Sequence, residues 1–508
     1  MVKNVLQYLE ESTRKFGSKT ACADETNSFT YDALSDYGMR IGSALLSETK
    51  PRMAVPVFMD KGCNALAVFM GTVYAGCFYV MLDPTQPSAR VNTILETLDA
   101  KLIVTDEKSK AKLEKLEFQG KVLQVEELME HIIEEDGLAE VREQALDIDP
   151  LYSIFTSGST GIPKGVIVSH RSVVDFIEYF TELFHITDED VMGNQAPFDF
   201  DVSVKDIYSA LKTGATLQII PKKMFSFPTT LLDFLEERKV TTLVWAVSAL
   251  CIVTTLNGFE YKRPSAIRKV IFSGEVMPIK HLNAWRAQYP DAMFVNVYGP
   301  TEITCNCTYY IVDHEFSLEE TLPMGKAFPN EKVFLLDDED GEVTKENPGK
   351  LGEICVSGTA LSLGYYNNRE KTEEAFVQNP LNDKYLEMIY RTGDLGYYNQ
   401  KGEMCFSSRK DFQIKHMGHR IELGEIEAAI SAVDDVVRTC CIFDTDENKI
   451  VGFFEGNTDK KMITRELNKK LPKFMIPNVF SQVEHMPITK NGKIDRKQLM
   501  ADYKSQIS

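Results

Sequence analysis

Short β-rich runs alternate with helical patterns through the larger part of the chain. One helical pattern begins at Val173, where apolar side chains recur at three- and four-residue spacing and mark one face of a helix. An earlier helical stretch from Ala65 leads into the strand-like run FYVMLDP. This alternation predicts an α/β fold with parallel strands covered by helices. The predicted strands are LYSIFT at 151, ATLQIIP at 215, TTLVWAV at 241, RKVIFSG at 268 and AMFVNVYG at 292.

The pattern changes after about residue 322. Short strands with turn signals follow one another there, as in KVFLLDDEDGEV and GEICVSG, and predict a β-rich subdomain. The segment SRKDFQIKHMGHR resembles a junction, followed by a helix, two strand-like runs and a further helix. We predict a large N-terminal region of layered α/β subdomains at 1–410, with the β-rich subdomain at about 322–410, and a small mobile α+β domain at 411–508.

The strand LYSIFT leads into a loop of glycines and hydroxyls that holds one lysine. Close backbone approach, hydroxyl donors and a cation are the partners that polyphosphate needs. A Walker loop is not formed, because GxxxxGK requires a glycine where Pro163 stands, so a P-loop kinase is the weaker interpretation. A plain surface loop is the other alternative. The candidate phosphate ligands are Thr156, Ser157, Gly158, Ser159, Thr160 and Lys164.

Composition limits the partners of the chain. Its formal net charge of -19 argues against nucleic acid as a general partner. No apolar run approaches a membrane span and the start lacks the apolar core of a signal peptide, so we expect no membrane insertion and a cytoplasmic location. The ten cysteines have no paired spacing, and we expect free thiols and no structural metal.

Ten short segments in a fixed order resemble AMP-forming adenylating enzymes of the acyl-adenylate superfamily. Within that superfamily the chain is most similar to amino-acid adenylation domains and free-standing D-alanine carrier-protein ligases. The resemblance covers essentially the whole chain, and it implies ATP and Mg²⁺ as cofactors and a monomeric enzyme. The segments are FTYDAL, YAGCFYVMLDP, TSGSTGIPKG, NQAPFDFDVSVKDIY, FSGEVMP, NVYGPTE, GEICVSG, YRTGDLG, DFQIKHMGHRIELGEIE and NGKIDR.

The resemblance assigns roles in carboxylate activation, where positive groups must meet developing charge. Lys493 in NGKIDR is expected to bridge the substrate carboxylate and the α-phosphate, while Lys164 and the loop hydroxyls hold the departing phosphates. Asp394 is expected to accept the ribose hydroxyls, and Arg409 to reach ribose and phosphate. The family usually has Gly-Arg at this point, whereas this chain has Ser408 before its arginine.

The segment NVYGPTE is expected to hold the nucleotide base and the metal. Asn296 lies at the adenine edge, Tyr298 against its face, and Glu302 binds magnesium in the family's pattern. Gly299 and Thr301 complete this part of the nucleotide site.

The resemblance also implies a second half-reaction, transfer to the phosphopantetheine thiol of a carrier protein. Asp411 stands at the hinge position, about which the small domain would rotate. Gly418 would line the passage for the phosphopantetheine arm. Residues 1–411 carry a formal charge of -20 and residues 412–508 of +1, which suits an acidic carrier protein at the small domain.

The predicted acyl-acceptor site favours an amino acid. Asp201 aligns with the acid that binds a substrate α-amino group, and an unpaired carboxylate would be costly beside a fatty or aryl acid. D-alanine ligases generally carry cysteine at the position of Ser273 and an apolar residue at that of Lys205. An inward lysine would select an acidic or other acceptor-bearing side chain, whereas an outward one leaves a small pocket. The other predicted pocket residues are Val202, Trp245, Ile271, Gly274, Val297, Cys305 and Asn306.

The sequence therefore leaves D-alanine and an acidic amino acid as the two leading substrates. The nearest rival is an AMP-forming acyl- or aryl-CoA ligase, which shares the first step. A P-loop kinase and a non-catalytic nucleotide-binding scaffold are the rivals of other classes.

Overall fold

The computed structural model describes residues 2–158, 162–318, 320–411, 413–488 and 494–507. It is a mixed α/β structure, as the sequence predicts. The first part contains α1 (Leu6–Phe16), β1 (Thr20–Ala23), β2 (Ser28–Thr30), α2 (Tyr31–Leu46), β3 (Ala54–Phe58), α3 (Cys63–Tyr74), β4 (Phe78–Leu82), α4 (Ser88–Leu98), β5 (Leu102–Thr105), α5 (Glu107–Leu113), β6 (Lys121–Gln124), α6 (Val125–Leu128), α7 (Glu135–Gln144), β7 (Pro150–Thr156) and β8 (Lys164–Ser169).

The middle part supplies most strands of the largest sheet. It contains α8 (His170–Leu183), β9 (Val191–Asn194), α9 (Val202–Thr213), β10 (Thr216–Ile219), a 3-10 helix (Lys222–Ser226), α10 (Pro228–Glu237), β11 (Thr242–Ala246), α11 (Val247–Thr255), α12 (Gly258–Tyr261), β12 (Lys269–Ser273), α13 (Ile279–Gln288), β13 (Met293–Tyr298), a 3-10 helix (Thr301–Ile303), β14 (Thr308–Ile311) and β15 (Lys326–Ala327).

The last part is β-rich and then mixed. It contains β16 (Glu331–Leu336), β17 (Glu342–Val343), β18 (Gly352–Gly358), α14 (Arg369–Ala375), β19 (Phe376–Gln378), β20 (Met388–Tyr398), β21 (Met404–Arg409), β22 (Gln413–His416), β23 (His419–Glu422), α15 (Leu423–Ser431), β24 (Val436–Asp444), β25 (Lys449–Gly456), α16 (Lys460–Lys470), a 3-10 helix (Lys473–Met475), β26 (Val479–Gln482) and α17 (Arg496–Ile507).

Two sheets and the helices between them form the main core. One sheet has the order β15-β14-β13-β12-β11-β9-β10-β1-β2 and is parallel from β13 to β1; the other has the order β6-β5-β3-β4-β7-β8 and is parallel except at β8. Apolar residues of both sheets and of α3, α8 and α9 belong to one cluster. Helices α10, α11 and α13 cover the opposite face of the larger sheet with a second cluster. Helix α3 is apolar or small on nearly every side because it lies deep in this core.

The β-rich stretch folds into an antiparallel sheet of the order β17-β16-β18-β20-β19, with β21 paired to β20. Beyond it, β24, β25 and β26 form a three-stranded sheet that packs against α15 and α16. Among the described residues, no helix is long and apolar enough to cross a membrane.

The segment that the sequence suggests is a junction is a β-hairpin, β22–β23. Met417 and Gly418 form its turn with φ of 53° and 78°. A two-residue turn with positive φ at both positions matches the twist of the flanking strands. The alternation of apolar and polar residues is short in this hairpin, and many of its residues are charged, so the sequence does not clearly indicate two strands.

Asp190 ties together the strands that lead to the site. Its carboxylate accepts hydrogen bonds from Lys269 Nζ at 2.6 Å and from the Thr241 and Thr242 hydroxyls at 2.8 Å each. Burial opposes the charged form, but the bonds from Lys269, the Thr187 amide and both hydroxyls outweigh it and lower the pKa of Asp190. The bonds hold the start of β9 against β11 and β12.

We expect Asp190→Asn to lower the free energy of unfolding by about 3 kcal/mol, because it leaves the ammonium of Lys269 without its counter-ion. The contribution of this carboxylate is present above its unfolded pKa and is lost as pH falls through its lower folded pKa. Urea unfolding at neutral pH measures the loss, with Asp291→Asn at an exposed position as the control. An unchanged midpoint for Asp190→Asn would contradict this account.

Candidate active site

Several predicted site residues lie at or just beyond the carboxyl ends of β11, β12 and β13, which is where open parallel sheets bind ligands. The β22–β23 hairpin covers this edge. Ser157 Oγ donates a hydrogen bond to the Arg420 carbonyl at 2.9 Å, and the Gly418 amide donates to Glu275 Oε1 at 3.2 Å. The hairpin therefore forms one wall of the site.

Glu302 is the electrostatic centre of this region. It is 0% exposed on the 3-10 helix Thr301–Ile303. Arg420 Nη1 lies 2.6 Å from its Oε2, while the Tyr365 hydroxyl donates to Oε1 at 2.7 Å and Lys164 Nζ lies 3.7 Å from the same oxygen. Burial opposes ionisation, but Arg420 and Lys164 lower the pKa of Glu302 to about 2. The carboxylate is therefore fully charged at neutral pH.

Lys164, the first residue of β8, is enclosed by the same group. Its Nζ lies 3.3 Å from the Tyr365 hydroxyl and 4.7 Å from the centre of that ring. Burial and the nearby Arg420 lower the pKa of Lys164, while Glu302 opposes this shift.

A second charged group lies on β20 and β21, where Asp394 and Arg409 are paired in register. Arg409 Nη1 lies 2.5 Å from Asp394 Oδ1, and the Tyr298 hydroxyl donates to Asp394 Oδ2 at 2.5 Å. Arg409 Nε also donates to Asp411 at 2.7 Å. The predicted ribose ligands and the predicted hinge residue thus form one connected ion-pair network.

The predicted adenine ligands adjoin this network. Lys415 of β22 lies with its Nζ 5.2 Å from the centre of the Tyr298 ring, and the Asn296 side-chain amide donates to the Pro323 carbonyl at 2.8 Å. A Cβ on Gly299 would stand 2.5 Å from the Asn306 Cα, so only glycine allows this close approach. Lys415 therefore occupies the neighbourhood of the ring face that the sequence analysis assigns to adenine.

The phosphate loop is described only in part. Thr156 Oγ1 is buried and has no hydrogen-bond partner in the part of the chain that the structure describes. A Cβ on Gly158 would stand 2.1 Å from the Ile162 carbonyl oxygen. Ser159 and Thr160 lie outside the described residues, as does Lys493.

A cavity of about 400 Å³ opens between these groups and the C-terminal part of the chain. Asp201 lines it, as does Thr156, whose hydroxyl has no hydrogen-bond partner among the described residues. Its lining includes Asp83, Arg90, Thr156, Ser157, Asp199, Asp201, Lys222, Thr301, His419, Arg420, Lys473 and Phe474.

Asp201 precedes α9 but does not cap it, because its side chain accepts no bond from the first turn. Burial raises the pKa of Asp201, although the Thr301 side chain and Lys205 oppose this shift. Cys305 Sγ lies 3.0 Å from the Asp201 carbonyl oxygen. Asp201 lines the cavity, and Val202 follows it as the first residue of α9.

Lys205 points inward. It is 0% exposed, and its Nζ donates to Asn306 Oδ1 at 2.8 Å and to Ser273 Oγ at 3.2 Å. Both partners are predicted pocket residues, so the structure brings three of the predicted walls together. Gly274, which follows Ser273 with a φ of 97°, has open space in the direction of a Cβ.

Trp245 is not brought together with the other predicted walls. Ile271 and Val297 pack in the cluster between the two sheets, whereas Trp245 packs in the cluster on the opposite face and donates from Nε1 to the Gly193 carbonyl. Successive strand residues face opposite sides of a sheet, so Trp245 lies on the face of β11 away from Val244, which packs with Ile271 and Val297. The structure therefore does not bring Trp245 together with the other predicted pocket residues.

Sequence analysis missed three further residues of the site. Arg420 and Lys415 lie in the segment DFQIKHMGHR, in which the sequence analysis assigns roles only to Asp411 and Gly418. The positive charges of Arg420 and Lys415 could have marked them as candidate phosphate or carboxylate ligands. Tyr365 gave no comparable signal, because its contact with Glu302 depends on the tertiary fold.

Comparisons with known proteins identify the family and the fold. The family model described as "AMP-binding enzyme" matches residues 9–366. The chain is 30% identical to D-alanine--D-alanyl carrier protein ligase of Staphylococcus haemolyticus, covering 98% of this chain and 99% of the relative. It is 31% identical to zwittermicin A synthase ZmaJ of Bacillus cereus, covering 97% and 94%.

Other relatives are much longer than this chain. The chain is 29% identical to tyrocidine synthase 2 of Brevibacillus parabrevis over 98% of its own length, but it spans only 13% of that relative. It likewise spans only 19% and 14% of two matching synthases from Bacillus subtilis.

Solved structures share the fold. NpsA-ThdA, an artificially fused adenylation-PCP di-domain from Klebsiella oxytoca, has a TM-score of 0.81 at 20% identity, and the match covers 95% of this chain and 94% of that one. This likeness confirms the predicted fold class. Because the family model covers well over half of the sequence and two relatives match nearly end to end, the chain belongs to the AMP-binding enzyme family, as its ordered motifs predict, and is an AMP-forming ligase by class.

Proposed function

We propose that the chain activates an amino acid as aminoacyl-AMP and transfers it to the phosphopantetheine thiol of a carrier protein. In the first step a carboxylate oxygen bonds to the α-phosphorus of ATP and pyrophosphate leaves. In the second step the thiolate sulfur attacks the acyl carbon, and AMP leaves with the oxygen that it gained. The relative named D-alanine--D-alanyl carrier protein ligase, which this chain matches almost end to end, supports this proposal.

The observation that carries the amino-acid part is the Asp201 carboxylate at the cavity wall. Its pKa is raised by burial, so a cationic partner would stabilise its charged form. A substrate α-ammonium supplies that partner, whereas a fatty or aryl acid does not. The two leading amino acids remain D-alanine and an acidic one, and an AMP-forming acyl- or aryl-CoA ligase is the alternative.

Different charged groups would bind different parts of the substrates in the first step. Lys164 would hold the departing phosphates, Asp394 and Arg409 the ribose, and Lys493 the charge that develops between the carboxylate and the α-phosphate. The buried, unpartnered Thr156 hydroxyl is available to a phosphate oxygen in the cavity.

Glu302 would hold the magnesium ion that accompanies ATP. Its carboxylate is a suitable oxygen ligand, and phosphate oxygens and water would complete the shell, since no group of three or more acidic, histidine or cysteine residues that could hold a metal occurs in the described part of the chain. A bound magnesium ion would neutralise part of the negative charge of the phosphates. The guanidinium of Arg420, whose Nη1 lies 2.6 Å from Glu302 Oε2, would repel the metal, so we expect it to move away when magnesium binds.

The position of the hairpin fits the second step. Gly418 has a φ of 78°, and a Cβ there would stand 3.0 Å from Ala246 Cβ, so a side chain would narrow any passage beside the turn. Rotation of residues 411–508 about Asp411 would withdraw Arg420 and Gly418 and bring Lys493 to the site. The boundary at Asp411 is part of this proposal.

Exchange of labelled pyrophosphate into ATP tests the first step. We expect exchange that depends on an amino acid, with AMP and not ADP as the final nucleotide product. Lys493→Ala should lower the exchange by about 10²-fold or more, because it removes stabilisation of developing charge. Lys490→Ala, three residues away, is the control and should retain it. ADP formation, or full exchange by Lys493→Ala, would contradict the proposal.

Asp201→Ala separates the amino-acid and CoA-ligase alternatives. We expect it to lower kcat/KM for the best amino acid about 10-fold to 100-fold, because a charge-assisted hydrogen bond to the α-ammonium is lost. KM for ATP should change little. Full activity of this variant on its best acid would favour the acyl- or aryl-CoA ligase.

Arg420→Met separates the two half-reactions. We expect amino-acid-dependent exchange to be retained, because Glu302 stays free for the metal. Transfer to a phosphopantetheine thiol should fall about tenfold or more, because the charged contact between the hairpin and Glu302 is lost. Arg438→Met, at an exposed position of the C-terminal part, is the control. Equal losses in both half-reactions would contradict the assignment of this pair to the second step.

A further inference from the structure

The ammonium group of Lys205 is completely buried, and its hydrogen-bond partners among the described residues are neutral. Its Nζ donates to Asn306 Oδ1 at 2.8 Å and to Ser273 Oγ at 3.2 Å. An ammonium has three donors, so one of them remains free for a further acceptor. The two contacts also fix the direction in which that donor can point.

The same ammonium has no close counter-ion. Among the described residues, no carboxylate oxygen lies within 4.0 Å of Lys205 Nζ, so no ion pair is formed. Burial lowers the pKa of Lys205, and Cys305, Asp201 and Asp206 oppose this shift only through longer-range attraction. Asp206 Oδ2 accepts a hydrogen bond from Asn194 at 2.7 Å, and burial raises the pKa of Asp206 to about 7. A buried cation in this position is costly unless a ligand brings negative charge to it.

The spacing of Asp201 and Lys205 matches a small amino acid. Lys205 lies four positions after Asp201, and such positions face the same side of a helix with Cβ atoms about 5–6 Å apart. A negative group in the cavity lining and a buried positive group thus lie one helical turn apart. An α-ammonium held at Asp201 would direct a short side chain towards Lys205.

We propose that the amino acid activated by this chain carries a carboxylate on a short side chain, and that Lys205 is the residue that selects it. This rests on the proposed amino-acid activation. The side-chain carboxylate accepts the free donor of Lys205 and supplies the missing counter-ion, giving a charge-assisted hydrogen bond. Aspartate and glutamate are the amino acids of this class.

Uncharged side chains fit this site less well. The methyl group of alanine would cover the ammonium from water without compensating its charge. A carboxamide or hydroxyl offers a dipole but no charge, so its bond to Lys205 is weaker than that of a carboxylate.

Asn306 is held in place by a constrained backbone. Thr304 and Cys305, which precede it, have φ of 54° and 75°, a conformation that residues other than glycine rarely adopt. The loop therefore presents Asn306 to Lys205 in a defined position, so that the ammonium is oriented before a substrate arrives.

Pyrophosphate exchange with the full chain tests the proposal. The panel consists of both stereoisomers of aspartate, glutamate, asparagine, serine, alanine and valine, with one fatty and one aryl acid. We expect kcat/KM for aspartate or glutamate to exceed that for every uncharged amino acid at least tenfold. A best substrate among the uncharged amino acids would overturn the selection of a carboxylate while leaving amino-acid activation intact. Exchange with only the fatty or aryl acid would overturn both.

Lys205→Met tests the role of the lysine itself, because it keeps the length of the side chain and removes its charge. We expect kcat/KM for the acidic amino acid to fall at least tenfold and that for alanine to stay level or rise. Lys212→Met is the matched control, since this lysine lies on the same helix and pairs with Glu178 outside the pocket. An unchanged preference in Lys205→Met would overturn the assignment.

Thermal shift with two non-hydrolysable analogues gives a readout that does not depend on turnover. Aspartyl-sulfamoyl adenosine should raise the melting temperature of the wild-type chain more than alanyl-sulfamoyl adenosine does, and Lys205→Met should remove this difference. The wild-type comparison stands even where the variant is unstable. An equal or larger shift with the alanyl analogue would overturn the proposal.

Discussion

The carboxylate of Glu302 cannot remain charged inside the protein unless positive groups accompany it, and much of the site follows from that requirement. Lys164 comes from β8, Arg420 from the β22–β23 hairpin, and the Tyr365 hydroxyl from the segment before α14. These contacts bring three distant parts of the sequence together at the two carboxylate oxygens of Glu302. Loss of any cation leaves a buried charge, which is among the larger penalties in a folded protein.

The same requirement connects structure to the proposed reaction. A metal ion and a guanidinium at the same carboxylate would repel each other, so the two half-reactions would favour different partners for Glu302. The network of Tyr298, Asp394, Arg409 and Asp411 lies directly at the proposed hinge. Movement of the C-terminal part would therefore change the charges around both the ribose and the phosphate ligands. Lys205 has a similar requirement, because it is a buried cation for which the substrate itself would supply the counter-ion.

The sequence predicted much of this architecture. The strands at 151, 215, 241, 268 and 292 are present as β7, β10, β11, β12 and β13, because strong apolar patterns bounded by turn residues leave little choice of structure. The sequence did not reveal that Trp245 lies apart from the other predicted pocket residues, because a fully apolar strand does not show which face each of its residues takes. The orientation of Lys205 and the pairing of Arg420 with Glu302 depend on contacts between residues 68 to 118 positions apart, which no local pattern encodes.

The central claim is that the carboxylate of an amino acid bonds to the α-phosphorus of ATP. Isotope transfer tests it directly, using an amino acid labelled with ¹⁸O in its α-carboxylate, ATP, and a phosphopantetheinylated carrier protein. The account predicts that one labelled oxygen appears in AMP and none in inorganic phosphate. Labelled inorganic phosphate formed together with ADP would contradict it, because the carboxylate would then have attacked the γ-phosphorus.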